Sequence, residues 1–164
     1  MTTTFNTTQF KEAMSRFATG VTIVTALEDG VPVGFSCQSF VSLSLDPPLV
    51  ALAPAKTSTS WPRIAQAGSF CVNILSDHQS AVCMNFAMSG GDKFIGVPWR
   101  PADTGGAPII EGSLAWIDCE LELVHDAGDH ELVIGKVIEL GLGEGEPLLY
   151  YRSGFGHLTE LDPG

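Results

Sequence analysis

The sequence predicts a mainly β chain with short helices, arranged as an antiparallel barrel rather than a doubly wound sheet. Three observations carry this. Alternating and β-branched runs recur from Val21 to the C-terminal end, mostly joined by hairpin-length turns. Helical spacing is confined to short segments. Eighteen glycines and ten prolines supply frequent turns, whereas the strand-and-helix alternation of a parallel sheet is missing.

Taken in order, Phe10, Met14 and Phe17 stand at helical spacing within Gln9 to Phe17, with Thr8 as the N-cap and Gly20 beyond the end. Val21 to Ala26 alternates and reads as a strand, and Glu28-Asp29-Gly30 is a hairpin turn. Val31 and Val33 lead into Gly34 to Leu45, where Cys37 carries the only ionisable side chain. At period two Phe35, Cys37, Val41, Leu43 and Leu45 share one face, while Ser36, Gln38, Ser42 and Ser44 share the other. That is the pattern of a half-buried strand. Ser39 and Phe40 break the phase, which predicts a bend or bulge that re-aims side chains.

Asp46-Pro47-Pro48 turns into an apolar strand, Leu49 to Leu52, and then comes Lys56 followed by Thr57, Ser58, Thr59 and Ser60. Trp61 to Ala67 reads as a short helix with Pro62 in its first turn and Gly68 closing it. Ser69 to Leu75 is a strand with a lone amide, Asn73. Ser76 and Gln79 form a capping box for a helix over Asp77 to Phe86. Met88 to Gly106 has no periodicity, and loops of this length are usually functional or mobile. Ser113 to His125 and His130 to Leu140 are long strands joined by a hairpin at Asp126 to Asp129. Gly141 to Glu146 is a turn, and Pro147 to Tyr151 and Gly154 to Leu161 are the last strands. No internal repeat divides the chain, so residues 1–164 read as one domain.

Composition narrows the function classes. Only 16% of the residues are charged, low for a small monomer, which points to part of the surface being covered in an oligomer. A net charge of −11 and a pI near 4.5 argue against a nucleic-acid partner. The eight cations, Lys11, Arg16, Lys56, Arg63, Lys93, Arg100, Lys136 and Arg152, are therefore conspicuous. Cys37, Cys71, Cys83 and Cys119 are widely spaced among apolar neighbours, as in reduced, buried thiols of a cytoplasmic protein, and not as zinc ligands. Met1 to Gln9 lacks the features of a signal peptide, and no apolar run is long enough to span a membrane.

Several motif readings fail on mechanism. Gly141-Leu142-Gly143-Glu144-Gly145 precedes another strand, not the helix N-terminus that a dinucleotide fingerprint requires. There is no phosphate-binding P-loop and no G-x-S-x-G elbow. His125 and His130 flank a turn, and with Cys119 read more readily as solvated turn histidines beside a core thiol than as a metal site.

The remaining constellation combines individually modest pieces. Lys56 with Thr57, Ser58 and Ser60 can hold a phosphate, or form a solvated loop. Lys93-Phe94 offers a cation and an apolar platform, or a surface lysine beside a core anchor. Asn73 can hold the imide edge of a ring, or occupy a strand margin. Gly128-Asp129-His130 places an imidazole at a hairpin tip, or simply in solvent. Tyr151-Arg152-Ser153-Gly154-Phe155 sets a cation between aromatics, or anchors the core beside a surface arginine.

These pieces occur with F-A-T-G-V-T-I-V-T-A (Phe17 to Ala26), G-F-S-C-Q-S-F-V-S-L-S-L-D-P-P-L-V (Gly34 to Val50) and F-C-V-N-I-L (Phe70 to Leu75). K-F-I-G-V-P-W (Lys93 to Trp99), G-D-H (Gly128 to His130), P-L-L-Y-Y (Pro147 to Tyr151) and G-F-G-H-L (Gly154 to Leu158) follow in the same collinear order. As a set they resemble the short-chain flavin reductases, the reductase components of two-component flavin-dependent monooxygenases. The resemblance covers nearly the whole chain. It implies an antiparallel split β-barrel of the FMN-binding type, a homodimer, and a flavin, FMN or FAD, near the subunit interface.

By the same resemblance Ser36, Cys37, Gln38, Ser39 and Phe40 meet the isoalloxazine. Ala53, Lys56, Thr57, Ser58, Thr59 and Ser60 lie on the phosphate side, with Asn73, Lys93 and Phe94 adding contacts. His130 is the catalytic-site position facing the nicotinamide, joined by Tyr151, Arg152, Ser153 and Gly154. Three positions depart from the family pattern: Ser36 and Gln38, where Thr and Asn or Ser are usual, and Phe155, where Tyr is common. The implied reaction passes hydride from NADH or NADPH to the flavin, and reduced flavin then leaves for a separate oxygenase. The scarcity of cations favours NADH, because a 2′-phosphate usually calls for an extra arginine. No acid–base pair is required, since the cofactors carry the chemistry. The rival readings are a pyridoxamine-phosphate-oxidase-like FMN oxidase and a non-enzymatic flavin-binding module.

Overall fold

The computed structural model describes residues 4–159. Its elements run α1 (Thr7–Met14), β1 (Thr19–Gly20), β2 (Thr22–Glu28), β3 (Val31–Cys37), β4 (Val41–Leu45), β5 (Pro48–Leu52), α2 (Trp61–Ala67) and β6 (Ser69–Ile74). A 3-10 turn at Asp77–Gln79 leads into α3 (Ser80–Ala87). Then follow β7 (Trp99–Pro101), β8 (Pro108–Ile110), β9 (Ala115–Ala127), β10 (His130–Leu142), β11 (Leu149–Tyr151) and β12 (Gly154–Gly156). Every ladder is antiparallel. The principal sheet has the order β3-β2-β6-β9-β10-β5-β4, and two small sheets, β1-β11-β12 and β7-β8, accompany it.

This is the expected mainly β split barrel, and its core shows why the sheet curls. Phe35 on β3 and Leu52 on β5 belong to one buried cluster with Val24, Phe70 and Val133. In a flat sheet β3 and β5 would be five strands apart, roughly 24 Å at ~4.8 Å per strand. Their shared core therefore requires a rolled sheet, open between the edges β3 and β4. Helix α2 packs into the same cluster through Trp61 and Ile64. A second cluster, including Ile23, Leu75, Phe86, Phe94 and Leu148, forms where α3 and the 88–99 segment cover the roll.

Local chemistry explains most boundaries. Asp29 (φ 50°) and Gly30 (φ 80°) make the predicted β2–β3 hairpin turn. Helix α2 occupies its predicted bounds, with Pro62 in the first turn and Gly68 closing it in the left-handed region at φ 75°. The Ser76–Gln79 capping box is present, but it initiates the 3-10 turn before α3. The phase break at Ser39-Phe40 is the gap between β3 and β4.

Other expectations change. Helix α1 is capped by Asn6 in a box with Gln9, not by Thr8, and stops at Met14, short of Phe17. The β9–β10 strands run on to Ala127 and from His130, so the hairpin tip is Gly128-Asp129 alone. The segment read as an unstructured loop contains β7, which pairs with the unanticipated β8. The last strand ends at Gly156, and Leu161 lies outside the described residues.

The largest departure concerns Val41, Leu43 and Leu45, which were expected to be half-buried. They are 54%, 49% and 91% exposed. Strand β4 is a sheet edge whose apolar side chains are left uncovered by the described residues.

Candidate functional site

The gap between β3 and β4 opens onto a cleft of ≈780 Å³. Three chain segments converge there. Ser36, Cys37, Gln38 and Ser39 line one wall, Ala53, Thr57, Ser58, Thr59 and Ser60 another, and His130 and Lys93 complete it. Backbone contacts bring the hairpin tip to the hydroxyl loop: Ala55 bridges His130, Lys56 N–H donates to the Asp129 carbonyl at 3.0 Å, and Glu131 N–H donates to the Pro54 carbonyl at 3.0 Å. Segments more than 70 residues apart in sequence thus share one space.

The hydroxyls divide by use. Ser39 Oγ accepts from Ala53 N–H at 2.9 Å and donates to the Ala53 carbonyl at 3.1 Å. Its role is to tie the strand break to the end of β5. Ser58 Oγ accepts from Trp61 N–H at 3.1 Å, which satisfies one of the free donors at the start of α2. Thr57 and Thr59 are exposed at the cleft, and neither hydroxyl bonds a described residue.

Lys93 extends under the β3 wall. Its Nζ donates to the carbonyls of Gly34 (3.2 Å) and Phe86 (3.3 Å) and to Ser60 Oγ (3.3 Å). Burial pushes its pKa below the usual lysine value. All three acceptors are neutral, so its charge is solvated but not neutralised. Gly34 lets the Phe86 ring of α3 pack directly on β3: a Cβ there would lie 2.7 Å from Phe86 Cε1 and 2.9 Å from the Val24 carbonyl.

His130 stands across the cleft with Nδ1 2.7 Å from Asp129 Oδ1. The hydrogen bond from the imidazole holds the Asp129 carboxyl below its usual range. Burial raises the Cys37 thiol above its ordinary value, so it lines the cleft as a neutral thiol and not as a nucleophile.

Several expected residues lie elsewhere. Lys56 does not line the cleft, because its Nζ pairs with Asp126 Oδ1 at 2.6 Å. Asn73 is fully buried; its Nδ2 donates to Ile23 O, Thr25 Oγ1 and Pro108 O, and its Oδ1 accepts from Ile110 N–H at 2.8 Å. It joins β6 to β2 and β8 and has no route to a ligand. Phe94 is a core anchor, edge-on to Phe86 at 4.8 Å. Phe40 packs part-buried against the main core. Arg152 and Ser153 border a neighbouring hollow, and Tyr151 and Gly154 lie outside the cleft.

The sequence reading missed Phe10 and Met14 of α1, and Phe86, Ala87 and Met88 at the end of α3, all of which line the cleft. Apolar spacing marked Phe10 and Met14 as helical and a capping box marked the helix ending at Phe86, and neither signal carries information about which face meets a ligand.

A flat polar heterocycle with an anionic tail fits this space. Free hydroxyls and an unneutralised cation lie at one end, and a bent strand edge with an amide side chain, Gln38, at the other.

The chain matches the flavin reductase like domain over residues 14–159. It is 52% identical over 154 residues to a flavin reductase of Pseudomonas putida, covering 93% of this chain and 90% of that protein. It is 49% identical over 156 residues to the flavin-dependent monooxygenase reductase subunit HsaB of Rhodococcus jostii (strain RHA1), covering 94% and 78%. The crystal structure of a homologue of nitrilotriacetate monooxygenase component B from Mycobacterium thermoresistibile superposes with a TM-score of 0.89 at 49% identity, covering 93% and 86%. With a family match over nearly its whole length and relatives this similar, the chain belongs to the flavin reductase like domain family.

Proposed function

We propose that this protein is an NAD(P)H-dependent flavin reductase that reduces FMN or FAD and supplies the reduced flavin to a separate monooxygenase. The observation that carries the reading is the convergence of the Ser36–Ser39 edge, the Thr57–Ser60 hydroxyls with Lys93, and His130 on one cleft. Relatives described as a flavin reductase and as a monooxygenase reductase subunit support it.

A bound flavin would supply the hydride acceptor. The chain supplies position and charge. Ser36 and Gln38 and the adjoining backbone hold the ring edge, Thr57, Thr59, Ser60 and Lys93 hold the phosphate, and His130 contacts the nicotinamide. None of these side chains moves a proton in hydride transfer, which suits a site without a carboxylate dyad. The scarcity of uncommitted cations in a chain of net charge −11 favours NADH over NADPH.

The reading takes residues 1–164 as one domain, acting as a homodimer in the cytoplasm. The exposed Val41, Leu43 and Leu45 on β4 support the dimer, because burying that face removes them from water. Among the described residues no helix is long and apolar enough to cross a membrane.

The test is NADH consumption by purified protein as free FMN and then FAD are titrated, with NADPH in parallel. Saturable turnover that depends on added flavin is expected. A protein that retains flavin tightly, ignores added flavin and consumes no NADH would replace this reading with an oxidase-like one.

A further inference from the structure

The hydroxyl loop and the hairpin that carries His130 both line the cleft, although they lie far apart in sequence. A ligand that uses both depends on what holds them in register. The main chain does part of this: Lys56 N–H donates to the Asp129 carbonyl and Glu131 N–H to the Pro54 carbonyl, each at 3.0 Å. Those bonds fix the first half of the loop. Among the described residues Ser58 to Ser60 form no such bond to β10. The link to that half is a side chain. Glu131 Oε2 accepts from Nε1 of Trp61, the residue that begins α2 directly after Ser60. Trp61 is 3% exposed and packs in the main core, so its indole is a fixed anchor. Its main-chain N–H donates to Ser58 Oγ at 3.1 Å, and Ser60 Oγ accepts from Lys93 at 3.3 Å. One indole thus joins a carboxylate of β10 to the part of the loop that meets Lys93.

Strand alternation gives this bond a second consequence. Successive side chains of a strand point to opposite faces. His130 lines the cleft, and Glu131, the next residue, reaches instead to the indole at the start of α2. A one-residue slip of β10 would exchange the two side chains. Tying Glu131 to Trp61 opposes that slip and keeps the imidazole facing the cleft. A carboxylate beside an anion site is electrostatically unfavourable in a chain of net charge −11. Its commitment to the indole accounts for it, because a hydrogen bond to an ionised acceptor is stronger than one to a neutral group.

We propose that Glu131 is a positioning residue: through Trp61 it holds the phosphate-binding hydroxyls and His130 at the separation that hydride transfer requires. The inference rests on the flavin-reductase reading of the cleft. Glu131 does not itself line the cleft, so it acts only through the groups on either side of the bond. The exposed pair of Lys56 with Asp126 at 2.6 Å braces the same two segments from the solvent side. An exposed ion pair contributes little, which leaves the bond to the buried indole as the stronger brace.

The test is the kinetics of Glu131→Leu, which removes the acceptor, Glu131→Gln, which keeps one, and Trp61→Phe, which removes the donor. FMN and NADH are titrated separately, and urea unfolding is followed in parallel. In Glu131→Leu the KM for FMN is expected to rise and kcat/KM for NADH to fall, each by about tenfold; misplacing a group by ~1 Å can cost up to roughly a hundredfold. The sign of the first change is diagnostic. If charge alone acts, removing a carboxylate beside an anion site lowers the KM for an anionic flavin, whereas loss of position raises it. Glu131→Gln is expected to recover most of both changes. Trp61→Phe should reproduce them, and combining it with Glu131→Leu should add little to either single variant, as for two partners in one interaction. Trp61→Phe carries the test if Glu131→Leu does not fold. Lower stability with wild-type KM and kcat/KM in the folded protein overturns the inference and leaves the reductase reading intact. So does a fall in the KM for FMN, or full additivity in the double variant. Wild-type protein inert with NADH, NADPH and either flavin overturns the reductase reading, and the inference with it.

Discussion

Lys93 donates to Ser60 Oγ at 3.3 Å, at the partition between the cleft and a second hollow of ≈560 Å³ that the same two residues border. Ser60 is buried and Lys93 partly so, and no described carboxylate pairs with the ammonium. The cation is positioned in advance, at the Ser60 end of the hydroxyl run, for an anion that comes from outside the chain.

Lys93→Met is therefore expected to raise the KM for flavin by roughly ten- to a hundredfold, the scale of losing a charge-assisted hydrogen bond of about 1.5–3 kcal/mol. The pH dependence has a definite sign. Burial lowers the Lys93 pKa from 10.5, so its charge is lost at a lower pH than that of a solvated lysine. In wild-type protein the KM for flavin should climb on the alkaline side, beginning below 10.5. Lys93→Arg should flatten that limb. Steady-state kinetics across alkaline pH check both.

Asn73→Ala should cost stability rather than flavin affinity. The fully buried amide donates to Pro108 O on β8 and Ile23 O on β2 and accepts from Ile110 N–H; its removal takes the acceptor from Ile110 N–H, while Pro108 O keeps its bond from the Thr25 hydroxyl. A loss of about 1–3 kcal/mol is expected, the scale of leaving a buried backbone donor without its partner. Urea unfolding measures it, and the folded fraction should keep its flavin KM. A large rise in flavin KM at unchanged stability would return Asn73 to the site.

The exposed face of β4 should be the subunit contact. Leu43→Lys with Leu45→Lys places two charges where apolar surface must be buried, and is expected to shift the protein from dimer to monomer in sedimentation velocity. A monomeric wild type, or a dimer indifferent to both substitutions, would leave that face without the proposed partner.

Asp118 makes stability depend on pH in the opposite sense to a surface carboxylate. Its side chain is buried on β9, with Oδ2 accepting from Gly105 N–H at 2.9 Å and Oδ1 bonding no described group. Burial raises its pKa above 3.8. Above 3.8 the unfolded chain has lost this proton while the folded chain keeps it, so stability falls as pH rises through the folded pKa. Asp118→Asn keeps an acceptor for Gly105 and removes the ionisation. It should melt higher than wild type near neutral pH, with the advantage shrinking as pH falls towards 3.8. Thermal melts at two pH values decide this.

Much of the fold was written locally. Helix α2 with its Pro62 start and Gly68 stop, the Asp29-Gly30 turn and the Ser39-Phe40 break each depend on residues within a few positions. The same holds for part of the site: Thr57 to Ser60 is a contiguous run, so its chemistry could be read before its surroundings were known. Asn73 could not be sorted this way. An amide inside a strand looks the same whether it faces a ligand or two neighbouring strands, and β8, which supplies half its partners, had no periodic signal of its own. Lys56 failed for a related reason, because its partner Asp126 is 70 residues away on another hairpin.

The sequence by itself determined the antiparallel β character, the turn positions, the hydroxyl run and a collinear set of motifs, because these follow from backbone preference and side-chain chemistry over short spans. Tertiary structure alone decided which groups remain available. The β5–β10 register brought His130 to the hydroxyl loop, tertiary pairing committed Lys56 to Asp126 and Asn73 to the strand interior, and Thr57 and Thr59 were left without partners among the described residues, with the Lys93 charge unneutralised beside them. The physical reason is that burial and pairing are settled between residues distant in sequence, where a polar group either meets a partner within the fold or is left for a ligand.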